Sequence, residues 1–257
     1  MSDGMDDLKQ AAERALACLD LTNLNDDCTA SDVRELCRRA QTPFGPTAAV
    51  CVWPRFVREA ASALRATPIR IATVVNFPGG DHPASDVMDL TEQAIRDGAD
   101  EIDMVIPWKA LIEGHPENIP ARVARVKGAA GTAPVKAIIE SGMLGAAELI
   151  TEATRGAIDG GANFVKTSTG KVPVNATPQA AETILTAIAA SESAVGFKAS
   201  GGVRTTADAA EYLALADRIM GKDWATPERF RFGASGVLSA LLATLRGQDA
   251  PAAGDGY

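Results

Sequence analysis

Gly98-Ala99-Asp100-Glu101-Ile102-Asp103 and Gly161-Ala162-Asn163-Phe164-Val165-Lys166 are two copies of one pattern. Each runs from a helix-ending glycine through an alanine and a small polar residue into a short strand whose third residue is charged. If the two strands are equivalent units of one sheet, Asp103 and Lys166 lie at similar depth with similar orientation. Outward from these segments, short β-branched runs alternate with longer alanine-rich stretches. Strands are expected at 48–52, 69–75, 101–105, 135–139, 164–167, 195–198, near 218–220, and at 229–232. The first six are mostly apolar, as strands covered on both faces should be. Ser85 is expected to cap a helix running from Asp86 toward Arg96, with Gly98 beyond its end, and Thr177-Pro178 to open another over 179–190. Strand–helix units recurring every thirty or so residues, roughly eight of them, imply an α/β fold, a single-domain (β/α)8 TIM barrel. An open doubly wound sheet is the alternative, but no G-x-G-x-x-G follows any strand. The barrel is assigned to 1–246, and 247–257, rich in Gly, Ala, Pro and Asp, to a flexible tail.

With 257 residues, 46% hydrophobic and 23% charged, the chain suits one such barrel. A net charge of −8 argues against nucleic acid and anionic membranes as partners. No apolar run approaches the roughly 20 residues of a membrane span, and the acidic N-terminus lacks the basic start of a secretory signal. Cys18, Cys28, Cys37 and Cys51 form no C-x-x-C pair, and His82 and His115 are remote from them in sequence. Neither a disulfide framework nor a zinc site is expected. The chain reads as a soluble cytoplasmic protein whose chemistry rests on Lys, Asp and backbone groups.

A lysine at the end of a buried strand can be a charge on its way to water. Lys198 ends a second strand in the same manner as Lys166, however, and Asp103 occupies the echoed position. Three charged groups converging inside a barrel are costly as structure alone. They make chemical sense if one amine must be a neutral nucleophile, because desolvation and a neighbouring ammonium both depress a lysine pKa. An aspartate in the same pocket can relay protons.

Glycine-rich segments follow the late strands: Thr167-Ser168-Thr169-Gly170-Lys171, Ser200-Gly201-Gly202-Val203-Arg204 and Phe232-Gly233-Ala234-Ser235-Gly236. Such glycines can serve only tight turns. Three of these loops with Lys171 and Arg204 beside them favour an anion site at the end of the barrel where phosphate is often held. Gly170-Lys171 is not a Walker A motif, since Val165 and Val172 stand where glycine and Ser or Thr are needed.

The segment from Phe164 to Lys171, with Val174-Asn175-Ala176-Thr177 after it, resembles the Schiff-base segment of the deoxyribose-phosphate aldolase family. The segment from Gly196 to Thr205 is similar to that family's second-lysine segment. Leu19-Asp20-Leu21-Thr22, Asn76-Phe77-Pro78, Glu101-Ile102-Asp103, Ile139-Glu140-Ser141-Gly142 and Arg231-Phe232-Gly233-Ala234-Ser235 extend the likeness along the chain. The resemblance implies a (β/α)8 barrel and a class I aldolase without cofactor or metal, cleaving 2-deoxyribose 5-phosphate to glyceraldehyde 3-phosphate and acetaldehyde. It implies Lys166 as the imine-forming residue, Lys198 as its perturbing neighbour and Asp103 as proton donor and acceptor. Asp20 and Thr22 match positions near the substrate hydroxyls, and Gly170, Lys171, Gly201, Gly202, Gly233 and Ser235 match phosphate-holding positions. Gly236 stands where relatives often carry a second serine, which removes one hydroxyl donor from that site. The terminal Tyr257 matches a tyrosine that visits the active site. The implied partners are small-molecule phosphosugars and aldehydes, with a homodimer as the assembly to test.

Residue chemistry by itself leaves three other readings open: a Schiff-base barrel enzyme using another donor, a pyridoxal-phosphate lysine, and a non-catalytic phosphosugar-binding barrel. Two like charges close together would serve a mere binder poorly. Cys51 is expected to be a small buried hydrophobe, and His82 and His115 to carry no chemistry.

Overall fold

The structure is a computed structural model that describes residues 2–248. Its strands are β1 (Leu19–Asn23), β2 (Gln41–Thr42), β3 (Gly45–Pro46), β4 (Ala49–Val52), β5 (Arg70–Val75), β6 (Glu101–Val105), β7 (Val135–Ile138), β8 (Phe164–Lys166), β9 (Gly196–Ser200) and β10 (Phe230–Ala234). All but the β2–β3 hairpin close into a parallel barrel in the order β1, β10, β9, β8, β7, β6, β5, β4. The helices are α1 (Ser2–Ala17), α2 (Ala30–Arg39), α3 (Val57–Leu64), α4 (Ala84–Asp97), α5 (Trp108–Ile112), α6 (Asn118–Ala130), α7 (Ser141–Leu144), α8 (Ala147–Asp159), α9 (Pro178–Ala190), α10 (Thr206–Met220) and α11 (Val237–Arg246). Among the described residues no helix is long and apolar enough to cross a membrane.

Two strand expectations are corrected. The first barrel strand is Leu19–Asn23, where none was expected, and 218–220 is the last turn of α10. In α10 the buried residues Ala209, Leu213 and Ala216 recur at helical spacing, and Arg218-Ile219-Met220 continues that helix up to Gly221. The strand at Leu19–Asn23 is hidden by Asp20 and Asn23, residues uncommon in strands unless something compensates them. The other seven barrel strands fall within one or two residues of their expected positions.

The helix ends follow local chemistry. Thr177 accepts a hydrogen bond from the Ala180 backbone N–H at 3.1 Å ahead of Pro178. Gly98 closes α4 with φ of +105°, which a side chain would oppose. Ser85 is not the cap of α4: the helix begins at Ala84 after Pro83, and the Ser85 hydroxyl sits 3.0 Å from Asp86 Oδ1. Thr205 and Asp208 form a reciprocal capping box at the start of α10.

The aliphatic core lies mainly between the strands and the helical shell. A smaller cluster of Leu24, Cys51, Ala72, Val74, Phe77, Val105 and Ile138 packs separately. Parallel register sets which residues share a face. Asp103 pairs with Lys136 across β6 and β7, Lys166 with Lys198 across β8 and β9, and Lys198 with Arg231 across β9 and β10. Gly196 opens β9 where there is no space for more. A methyl group there would lie 2.5 Å from a Phe164 ring carbon and 2.6 Å from the Arg229 carbonyl oxygen. Gly196→Ala is therefore expected to destabilise the barrel by about 1–3 kcal/mol; a melting temperature equal to the parent's would show that β9 yields at no cost.

Candidate active site

A set of seven charged side chains fills the barrel axis. Asp103 is fully buried and accepts from three ammonium groups: Lys136 at 2.8 Å on Oδ1, and Lys166 at 2.9 Å and Lys198 at 2.8 Å, both on Oδ2. Lys198 also reaches Asp20 Oδ2 at 2.5 Å. Arg231 donates to Asp20 Oδ1 at 2.6 Å and to Glu101 Oε1 at 2.8 Å. Lys136 completes the loop to Glu101 at 2.5 Å. Burying any one of these ions alone would cost several kcal/mol, and shared partners are what make the set tolerable.

The charges are divided unequally. Burial acts against Asp103, Asp20 and Glu101 as carboxylates, yet the surrounding Lys and Arg groups outweigh it and hold all three below the usual range. Lys198 and Lys136 are held above the usual lysine range, because their carboxylate neighbours outweigh burial. Lys166 goes the other way. Its burial and the nearby Lys198 charge outweigh the pull of Asp103, so its amine gives up its proton more readily than a free lysine.

The network was only partly visible in the sequence. Lys166, Lys198 and Asp103 do converge. Lys136, Glu101 and Arg231 were given no role, although each is a charge in a mostly apolar strand, and Glu101 lies two residues from Asp103 on the same strand face. Asp20 belongs to the ion network, with both oxygens engaged by Lys198 and Arg231. Thr22, one turn of the pleat further on, donates to the Asp20 carbonyl at 2.8 Å.

Glu140 is a further functional candidate that sequence reasoning left without a role. Buried and at φ of +54°, it accepts from the Thr169 N–H at 3.1 Å and the Thr169 hydroxyl at 2.6 Å. That pins the loop after β8 just before Gly170 and Lys171; Lys171 in turn lies 3.5 Å from Asp26. The β9 loop turns through Gly201 and Gly202 at positive φ, and a methyl on Gly201 would meet Asn175 at 2.8 Å, so the two loops are in tight contact. Arg204 is exposed ahead of α10. Gly233 lies within β10 rather than in the loop after it; its missing side chain leaves room for Lys198, whose Cε would stand 2.9 Å from an added methyl. Ser235 and Gly236 follow β10, and Gly236 has an ordinary φ of −74° at the start of α11. Cys51 is fully buried near the lysines, its thiol pushed up to about 11 by burial. His115 pairs with exposed Glu117 at 3.4 Å, remote in character from the buried network. Tyr257 and the rest of 249–257 lie outside the described residues.

An eight-stranded barrel whose axis holds a deprotonation-prone lysine against a carboxylate has the makings of a Schiff-base lyase. The chain belongs to the DeoC/LacD aldolase family, whose model matches residues 14–243, and is an aldolase, a lyase. It is 50% identical to a deoxyribose-phosphate aldolase from Agrobacterium fabrum over 252 residues, 97% of each chain. The crystal structure of the apo form of a candidate deoxyribose-phosphate aldolase from Toxoplasma gondii ME49 superposes with a TM-score of 0.86 at 26% identity, over 95% of this chain and 99% of that one. The deoxyribose phosphate aldolase of Aeropyrum pernix, which is a tetramer, shares the fold with a TM-score of 0.73 at 24% identity, over 93% and 97% of the two chains.

Asp103→Asn would leave three buried ammonium groups short of their common acceptor. It is expected to cost about 3–5 kcal/mol in denaturant unfolding at pH 7. Because the folded-state pKa of Asp103 is depressed, its ionic contribution is complete above the unfolded value, about 3.9, and is lost as pH falls toward the folded one. The gap between variant and parent should narrow on acidification; a gap independent of pH would assign the loss to shape instead.

Proposed function

We propose that the chain reversibly cleaves 2-deoxy-D-ribose 5-phosphate to D-glyceraldehyde 3-phosphate and acetaldehyde through an imine on Lys166. The observation that carries this reading is the contrast within the axial network: Lys166 alone of its four cations meets a single carboxylate, one it shares with two other ammonium groups, and it is the one held toward the neutral form. The substrate assignment is supported by the extent of likeness to the Agrobacterium fabrum enzyme.

The neutral amine adds to the C1 aldehyde of the open-chain sugar, and loss of water gives a protonated imine. As the C3 hydroxyl gives up its proton, the C2–C3 bond breaks and its electron pair moves into the imine, forming an enamine. Glyceraldehyde 3-phosphate leaves. Protonation of the enamine carbon and hydrolysis then release acetaldehyde and free Lys166. Asp103, kept ionised by its ammonium neighbours, is the proton acceptor through an ordered water, and the Lys198 ammonium on the same carboxylate oxygen can restore the proton. Asp20 holds Lys198 from its other side.

Phosphate is assigned to the loops after β8, β9 and β10, through the backbone at Gly170, Gly201, Gly202 and Gly236, the Ser235 hydroxyl, and the Lys171 and Arg204 side chains. Remote binding there fixes the reacting carbons against Lys166. The four cysteines are free and buried thiols, in keeping with action in the cytoplasm. A homodimer remains the assembly to be checked by light scattering.

Acetaldehyde and borohydride should attach a reduced two-carbon label to Lys166. A label mapped to Lys198 or Lys171 would overturn the assignment of the nucleophile. Lys171→Ala and Arg204→Ala should each raise KM for the phosphorylated sugar by about tenfold, the worth of one charge-assisted hydrogen bond, while sparing bare deoxyribose. Equal losses on the two substrates would remove these residues from the phosphate site.

A further inference from the structure

Glu101 and Arg231 lie at the end of the barrel opposite the proposed substrate loops. Both line a cleft of about 550 Å³ formed where strands begin, beside Arg70, Asp100, Pro134 and Phe164. Their ion pairs run to each other, to Asp20 and to Lys136, and none among the described residues joins either of them to Lys166. Yet both are 5% exposed or less and belong to one continuous network with it. Arg231 holds Asp20, Asp20 holds Lys198, and Lys198 shares an Asp103 oxygen with Lys166.

Within this network the three carboxylates Asp20, Glu101 and Asp103 face four cationic side chains. Lys136 sits between Glu101 and Asp103, Lys198 between Asp20 and Asp103, and Arg231 between Asp20 and Glu101. Each of these cations thus bridges at least two carboxylates, Lys136 also lying 3.7 Å from Asp20. Lys166 touches only Asp103, already shared with two others. It is the surplus cation of the set.

We propose that Glu101 and Arg231 are positioning residues that set the charge balance of the barrel axis and so select Lys166, rather than Lys136 or Lys198, as the amine free to react. This rests on the reading of Lys166 as nucleophile. Arg231 supplies positive charge that Asp20 would otherwise draw from Lys198 and the more distant Lys136, and Glu101 the negative charge that helps keep Lys136 an ammonium. The other titratable groups facing the network leave this balance in place. Cys18, near Arg231, and Cys51, near Lys166, are thiols pushed up by burial, to about 12 and about 11. Glu140 faces Lys166 from the turn after β7, but both its oxygens are taken by Thr169. Glu228 and Arg70 stand at the rim of the outer cleft.

The test follows the rate of borohydride-trapped acetaldehyde label on Lys166 in the full-length protein across pH, each label located by peptide mapping and each fold checked by circular dichroism. Losing a cation makes the axis more negative and keeps the Lys166 proton on, so Arg231→Met should move the acid limb upward by about one pH unit. Glu101→Gln should move it downward, and the double variant should bring it back toward the parent. Arg231→Lys keeps the charge while losing the forked geometry, so its limb should stay in place even if labelling slows; if Arg231→Met does not fold, the downward shift of Glu101→Gln carries the test. Single-variant shifts of the same sign, an unmoved limb in either, or a limb displaced equally by Arg231→Lys and Arg231→Met would overturn the proposal. A parent label away from Lys166 sinks the nucleophile assignment and this inference with it, whereas a Lys166 label with unmoved limbs sinks this inference alone.

Discussion

The shared carboxylate of Asp103 is the constraint on which the rest of the interior depends. Three lysines from three consecutive strands, β7, β8 and β9, meet on its two oxygens. Buried ammonium groups repel one another and have lost their water, so without that acceptor the inner face of the barrel would not hold them. The parallel register makes the meeting a matter of backbone geometry. Once Asp103 is aligned with Lys136 and Lys166 with Lys198, the side chains have little choice of direction. The hydrogen bonds that gather the three lysines are thus set by the register that closes the barrel.

What the sequence makes legible follows from period. The repeated glycine–alanine–polar–strand units reveal the barrel, and the charged third residues of two of those strands bring Asp103 and Lys166 to one level. The strand around Asp20 escapes such reading because its inward residue is an acid, whose compensation by Lys198 and Arg231 comes from strands almost the whole chain away. The end of α10 misleads for the converse reason: Ile219-Met220 after Arg218 suits a strand as well as a helix, and only the preceding helical spacing decides its state. Lys136, Glu101 and Arg231 look in sequence like isolated charges at strand starts. Their partners are fixed by barrel closure, a relation that neighbouring residues do not encode.

The loops after β8 and β9 show the same division. Thr169, Gly170 and Lys171 read as one short anion-binding segment, but the carboxylate that fixes its backbone is Glu140, from the preceding turn. Asn175 packing against Gly201 likewise ties the β8 loop to the β9 loop. The β8 loop is thus held by its neighbours, which fixes the positions of its backbone N–H groups.

The lysines also serve as packing material. Lys136, Lys166 and Lys198 are among the bulkiest fully enclosed side chains of the protein, and their methylene stems occupy space that branched aliphatics fill in other barrels of this kind. Leucine or methionine at one of these places alone would strand the buried carboxylates that the lysine now neutralises; only apolar replacement of the whole set, acids and Arg231 included, would remove the desolvation cost. A single substitution along the axis therefore exchanges a packed stem for an unpaired buried charge. The helical shell, held by contacts such as the Arg14–Asp217 pair that ties α1 to α10, accepts stabilising changes without disturbing that balance of charge.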